Sequence, residues 1–363
     1  MHWNYKQPVE ISFGNGRISE LKSIIETAKR PLLVSSPFFA QNGLAAGLLA
    51  DKDGEIFSNV SVDPDVSEVN ECAKLVRKVE PDIIIAIGGG STLDLAKAVS
   101  IGADDISVYH GTGKKVPEKH IPVIAVPTTS GTGSEVTCVS VLTDRIRGIK
   151  APIVSESFYP KAAIIDPELT ISVPPNVTAS TGIDVLCHAV EGYWSKGHQP
   201  ICDALAIQAI RLVFENLPTA YAHPQDKYAR EKLSEASVIA GLAFTLPKTT
   251  ASHACSFPLT NIYHIPHGEA CGLTLDYFTR VNAADERTTE LAKILGYNNV
   301  DEFADKIFEL KKSLGLRTSL ADLKLDSKQI SELVRLSHHP NMENNPVSIT
   351  DDILTDMYNK LNH

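Results

Sequence analysis

The chain has 363 residues, more than one hydrophobic core usually serves, so two domains are expected. Hydrophobic residues make up 43% and charged residues 21%, an ordinary globular composition, and a formal net charge of −10 argues against DNA, RNA or an anionic membrane as the main partner. The six cysteines (Cys72, Cys138, Cys187, Cys202, Cys255 and Cys271) include no C-x-x-C pair and read as buried thiols; with no signal-peptide pattern and no apolar run of about 18 residues, a cytoplasmic protein is expected.

In chain order, Arg30 to Ser36 reads as a buried strand and Val66 to Val79 has helical spacing. Pro81 to Ile87 is a second buried strand, running into Gly88-Gly89-Gly90-Ser91, and Ile121 to Val126 is a third, ending at Pro127. Continuous β-branched runs alternating with helices predict a parallel sheet covered on both faces. From about Ala179 strand signals nearly vanish. Asp203 to Glu215, Lys227 to Phe244, Thr288 to Leu295, Val300 to Leu314, Ser327 to Leu336 and Asp351 to Leu361 all read as helices. The expected division is an α/β domain over 1–178 and an all-helical domain over 179–363.

The segment Gly88 to Lys97 leaves a strand and enters a helix. Glycines admit a ligand close to the backbone, and a helix start offers free N–H groups and a positive dipole end, which suits a pyrophosphate. Ser91 is expected as the N-cap, with Asp94 returning the bond three residues on. A second loop, Pro127-Thr128-Thr129-Ser130-Gly131-Thr132-Gly133-Ser134-Glu135, again comes after a buried strand. Two such loops at neighbouring strand ends point to a dinucleotide, although G-x-G-x-x-G itself is absent.

Asp184 and His188 lie four apart, hence on one face of a helix. His253 and His267 come later in the chain. One carboxylate and three imidazoles suit a divalent metal of borderline softness with a position open to a substrate oxygen. Each histidine alone reads better as a hydrogen-bonded core residue.

The segments GGGSTLDLAK, PTTSGTGSE, GIDVLCHAVEGYWS and HACSFPLTNIYHIPHG, in this order, resemble the iron-containing (group III) alcohol dehydrogenase family over nearly the whole chain. The resemblance implies a Rossmann-like dinucleotide-binding domain followed by a helical metal-binding domain, the architecture shared with dehydroquinate synthase, and relatives that commonly form dimers. It implies metal ligands at Asp184, His188, His253 and His267 for Fe2+ or Zn2+. It implies contacts to NAD(P)H at Gly89, Gly90, Ser91, Asp94, Thr128, Thr129, Thr132 and Ser134, and a ribose contact at Lys150. Where many relatives carry a proton-relaying histidine this chain has Phe257, so His264 is the expected substitute. Where NAD-restricted relatives place Asp to meet the ribose, it has Ser36, so no anion there repels NADPH. The motif neighbourhood looks closest to phosphonoacetaldehyde reductases, with sulfoacetaldehyde reductases near. Lys196, His198, Arg145 and Arg147 are the candidate cations for an anionic head group. The expected activity is reduction of a small aldehyde to a primary alcohol. The alternatives are a general short-chain alcohol dehydrogenase, a dehydroquinate synthase-like lyase, or a non-catalytic nucleotide-binding protein.

Overall fold

The computed structural model describes residues 2–50 and 52–363, which separate into two compact units. The first unit holds residues 6–129 and 133–171; the second holds 172–363, together with residues 2–5 and 130–132.

The first unit is built on six parallel strands: β1 (Glu10–Phe13), β2 (Pro31–Ser35), β3 (Glu55–Phe57), β4 (Ile83–Gly88), β5 (Val123–Pro127) and β8 (Ala162–Ile165). They lie in the order β1-β8-β5-β4-β2-β3. The strands β2 and β5 are buried at every residue, as the unbroken Leu/Val and Val/Ile/Ala runs require of a sheet covered on both sides. One face packs under α4 (Val66–Val79) and α5 (Gly90–Ser100). The other packs under α1 (Leu21–Thr27), α2 (Pro37–Gln41) and α3 (Leu44–Leu48), with Leu21, Ile25, Phe39 and Ala45 as its core. A separate antiparallel hairpin, β6 (Val139–Asp144) with β7 (Ile149–Val154), rests on the α5 side.

The register of the sheet places the loops. Ser35 of β2 is level with Ile87, and Gly88 of β4 is level with Pro127 of β5. Ser36 and both glycine loops therefore leave the carboxyl ends of three adjacent strands, where parallel α/β sheets hold ligands.

The second unit is helical: α6 (Pro175–Trp194), α7 (Pro200–Ala222), α8 (Lys227–Phe244), α9 (Ala251–Tyr263), α10 (His267–Val281), α11 (Glu286–Ile294), α12 (Val300–Ser313), α13 (Ser327–Ser337), α14 (Pro340–Glu343) and α15 (Asp351–Leu361). Beyond its first turn α6 is almost wholly buried, so it is the central helix, apolar nearly all round. It packs on α7, α8 and α12 in one core; α9, α10, α13 and α15 form a second. Glycine sets how closely α6 and α10 approach. A Cβ on Gly268 would run into the Ser180 carbonyl and lie 2.8 Å from Asp184 Cβ, and one on Gly272 would lie 2.7 Å from Ile183. Only hydrogen fits at either position.

Candidate metal centre and nucleotide loops

Asp184 and His188 lie one turn apart on α6, both buried; His253 lies in the first turn of α9, and His267 is the first residue of α10. Three helices thus converge a carboxylate and three imidazoles. Among the described residues, ligand atoms of Asp184, His253, His267 and Cys271 all lie within 4.8 Å of one another. His253 Nε2 is 3.6 Å from Asp184 Oδ1, and His188 Nδ1 is 4.0 Å from Asp184 Oδ2. Both distances are too long for hydrogen bonds. They approach the separation of about 3.4 Å between two atoms each about 2.1 Å from one tetrahedral ion.

His188 Nδ1 and His253 Nε2 are buried and make no hydrogen bond. A buried polar atom left so costs free energy unless something else binds it, and a divalent cation suits two imidazole lone pairs beside a carboxylate. The residues fit a metal ion. His188 stacks on Phe244 with centroids 4.1 Å apart and on His253 at 4.7 Å, which fixes its ring plane. Burial, then the neighbouring His253, pushes its pKa well below the ordinary value, keeping it a neutral donor. For His253 burial pulls the same way, but the Glu191 carboxylate, then Asp184, outweighs it and raises the pKa.

Cys271 enters this group one turn after His267, with its sulfur 3.8 Å from His267 Nε2. It is fully buried, and burial raises its thiol pKa well above the ordinary range. His188 lies outside that group and is the other candidate for the fourth position, with its Nδ1 buried and without a hydrogen bond.

Two residues of this site, Glu191 and His339, are not singled out by the sequence. Glu191 is fully buried and faces His253 Nδ1. His339 is half-buried, with its Nδ1 accepting the Asn341 N–H at 3.2 Å. Phe257 stands between, 6.3 Å from the His267 ring and 4.6 Å from His339, forming a ladder of rings. The spacing Asp184, His188, Glu191 on one helical face is a signal for Glu191; nothing local announces His339. The expected relay His264 is exposed at the end of α9, in the left-handed conformation that ends the helix.

In the first unit α5 begins at Gly90 with Gly89 as N-cap, so Ser91 lies inside the helix and the expected Ser91/Asp94 capping box does not form. Ser91 Oγ instead accepts the Asp63 N–H at 3.2 Å. Asp94 turns inward, accepting from Ser134 Oγ at 2.5 Å and from the Val141 N–H at 2.9 Å. Lys97, fully buried, completes the knot with bonds to Ser134 Oγ (2.7 Å) and the Val139 carbonyl (3.0 Å). Burial pushes Asp94 up and Lys97 down, and each opposes the shift of the other.

Thr128 donates its N–H to the Gly88 carbonyl at 3.0 Å, and a Cβ on Gly89 would meet Thr129 Oγ1 at 3.2 Å, so the two loops touch. Gly133 turns the second loop at φ 61°, a left-handed conformation that favours glycine. Thr132 falls in the short segment that groups with the second unit. Ser36 stands at the N-terminal end of α2 without a side-chain capping bond and donates its N–H to the Ile87 carbonyl. Lys150 is half-buried and pairs with Asp63 at 2.6 Å. The candidate head-group cations all have partners within their own unit. Arg145 lies within 3.9 Å of Asp65 and Glu68, Arg147 pairs with Asp144, Lys196 donates to the Glu343 carbonyl, and His198 faces Asp203.

Known proteins resemble this chain in sequence and fold. The family model for iron-containing alcohol dehydrogenase matches residues 8–167, and that for the C-terminal part of the Fe-containing alcohol dehydrogenase family matches 178–362. The sulfoacetaldehyde reductase of Bifidobacterium kashiwanohense, solved in complex with NAD+, is 57% identical over 100% of this chain and 99% of its own, with a TM-score of 0.96. The NAD-dependent methanol dehydrogenase of Bacillus methanolicus is 35% identical, covering 81% of this chain and 80% of its own. An NADPH-dependent butanol dehydrogenase of Clostridium saccharobutylicum is 34% identical, covering 91% and 89%.

Proposed function

The chain belongs to the iron-containing alcohol dehydrogenase family, and we propose that it reduces a two-carbon aldehyde with an anionic head group, sulfoacetaldehyde foremost, to the primary alcohol with NAD(P)H. The reaction class rests on the buried cluster of Asp184, His188, His253 and His267. The substrate rests on full-length identity of 57% to a sulfoacetaldehyde reductase, which moves the sulfonate ahead of the phosphonate expected from sequence motifs.

Asp184, His188, His253 and His267 would hold the divalent ion. Such an ion supplies Lewis acidity toward a carbonyl oxygen, as a bound nicotinamide supplies hydride. The loops at 88–91 and 128–134 would seat the dinucleotide, with its pyrophosphate at the start of α5. Phe257 and His339 would line the substrate side of the cluster. The exposed His264 would pass a proton from solvent to the product oxygen. We include in this reading a homodimer in the cytoplasm and, through Ser36, acceptance of NADPH. Among the described residues no helix is long and apolar enough to cross a membrane.

The test is NAD(P)H consumption by the Fe2+-loaded enzyme with sulfoacetaldehyde, phosphonoacetaldehyde, propanal and acetaldehyde. A contact to the anionic group of about 1.5–3 kcal/mol raises kcat/KM for the charged aldehydes by about one to two orders of magnitude. Equal efficiency with propanal would reduce the reading to a general aldehyde reductase. His264→Gln should lower kcat about tenfold or more with little change in metal content; unchanged turnover removes His264 from proton transfer.

A further inference from the structure

On α6 the residues Asp184, His188 and Glu191 share one face, yet only the first two reach the metal cluster directly. Glu191 is fully buried beneath it. Its Oε2 lies against His253 Nδ1, and its Oε1 accepts from Thr250 Oγ1 at 2.8 Å and from the Ser252 N–H at 2.7 Å. Thr250 Oγ1 in turn accepts from the indole Nε1 of Trp194 at 2.9 Å, and Trp194 is itself fully buried. A carboxylate with that many donors converging on it is an acceptor at both oxygens, so the His253 nitrogen facing it carries hydrogen. The neutral ring then has its lone pair on Nε2, which is buried, makes no hydrogen bond and faces Asp184 Oδ1 at 3.6 Å. A lone pair opposite a carboxylate oxygen is repulsive unless a proton or a metal cation stands between them, and 3.6 Å is too long for a hydrogen bond.

We propose that Glu191 is a positioning residue of the metal centre: it fixes the tautomer and ring plane of His253 so that Nε2 is presented to the ion, and Thr250 and Trp194 hold Glu191 in place. Carboxylates behind a ligating imidazole commonly set metal affinity in this way. Removing such a group weakens binding about 10–100-fold. The hydrogen-bond chain also makes Trp194 a reporter of the site, since the other tryptophan, Trp3, is 45% exposed.

This role for Glu191 rests on the cluster being a metal site, and the experiment separates the two. Chelator-treated protein is titrated with Zn2+ by competition against a chromophoric chelator, for the wild type, H253A, E191Q and T250V. The same titration is followed by tryptophan emission in a W3F background. The expected result is a Kd about 10–100-fold weaker for E191Q and severalfold weaker for T250V, at unchanged apo melting temperature. Trp194 emission should change on Zn2+ addition, and E191Q should lose that change. Should E191Q fail to fold, T250V, which keeps the carboxylate, decides by the same measurements. Wild-type Zn2+ affinity in every variant that folds, with H253A weakened, overturns the role of Glu191 alone. A wild type that binds no more Zn2+ than H253A overturns the metal reading and this proposal with it.

Discussion

Ser134 donates its hydroxyl to Asp94 Oδ1 at 2.5 Å, joining positions forty residues apart and tying the loop after β5 to the helix after β4. Lys97 bonds the same hydroxyl at 2.7 Å, so one side chain of the second loop is held from two sides. Asp94→Ala would remove the carboxylate to which Ser134 Oγ and the Val141 N–H donate. Each such loss in a buried site costs about 1–3 kcal/mol. The variant should bind NADH about tenfold or more weakly and melt earlier, with metal content unchanged. Fluorescence titration with NADH beside metal analysis checks this, and an unaltered Kd for NADH would show that Asp94 has no bearing on the loop.

At the candidate metal centre His188 and Cys271 are rivals for one position: Cys271 belongs to the group whose ligand atoms lie within 4.8 Å of one another, and His188 offers a buried Nδ1 that makes no hydrogen bond. Replacing His253 or His267 with Ala should reduce metal content and turnover by orders of magnitude. His188→Ala should do the same, whereas Cys271→Ser should retain metal, because the buried His188 Nδ1 makes no hydrogen bond and is open to an ion. The opposite pattern, with metal lost from Cys271→Ser and kept by His188→Ala, would exchange their roles.

Ser36 carries no charge where its N–H meets the Ile87 carbonyl at the end of β2. Asp at this position would repel a 2′-phosphate, and a close pair of that kind is strongly unfavourable. Ser36→Asp should lower kcat/KM for NADPH relative to NADH by about an order of magnitude or more. Equal NADPH efficiency in both proteins would place the ribose elsewhere.

Glu135 is buried, and burial raises its pKa to about 7, with Lys97 opposing the shift. In the unfolded chain the carboxyl ionises near its ordinary value of 4.5; in the folded protein it stays protonated until about 7. The folded state therefore binds the extra proton, and this group lowers stability as pH rises between those values, with the full cost present above about 7. That cost is on the order of 3 kcal/mol. Glu135→Gln should be stabilised relative to the wild type more at pH 8 than at pH 5. A gain independent of pH, read from thermal melts, would contradict it.

How much of this is legible in the sequence varies by residue, for physical reasons. The helix from Lys227 to Phe244 appears with the bounds read from sequence, because Asp226 caps it through the Ala229 N–H and the periodicity is local. Strands β2, β4 and β5 announce themselves as continuous apolar runs. The hairpin β6–β7 does not, since its burial alternates and its partner is decided by pairing. The four candidate metal ligands can be named because spacing and family motif coincide. The Ser91/Asp94 cap does not form because both side chains find distant partners, Asp63 and Ser134, which no local rule foresees. Glu191 is signalled only by sharing a helical face with Asp184 and His188; by type, a glutamate on a helix reads as solvent-facing until the fold buries it.

The crossing of α6 and α10 at Gly268 and Gly272 also bears on how this enzyme can change over generations. No larger residue fits at Gly268 without pushing the Ser180 carbonyl and Asp184 aside, so a single methyl there would displace a side chain of the metal cluster. Any lineage descending from this sequence is therefore confined at Gly268 and Gly272 by packing, at Gly268 against a residue of the candidate metal cluster. Attempts at directed evolution are best aimed elsewhere, with the glycine crossing left as the inherited axis around which the rest varies.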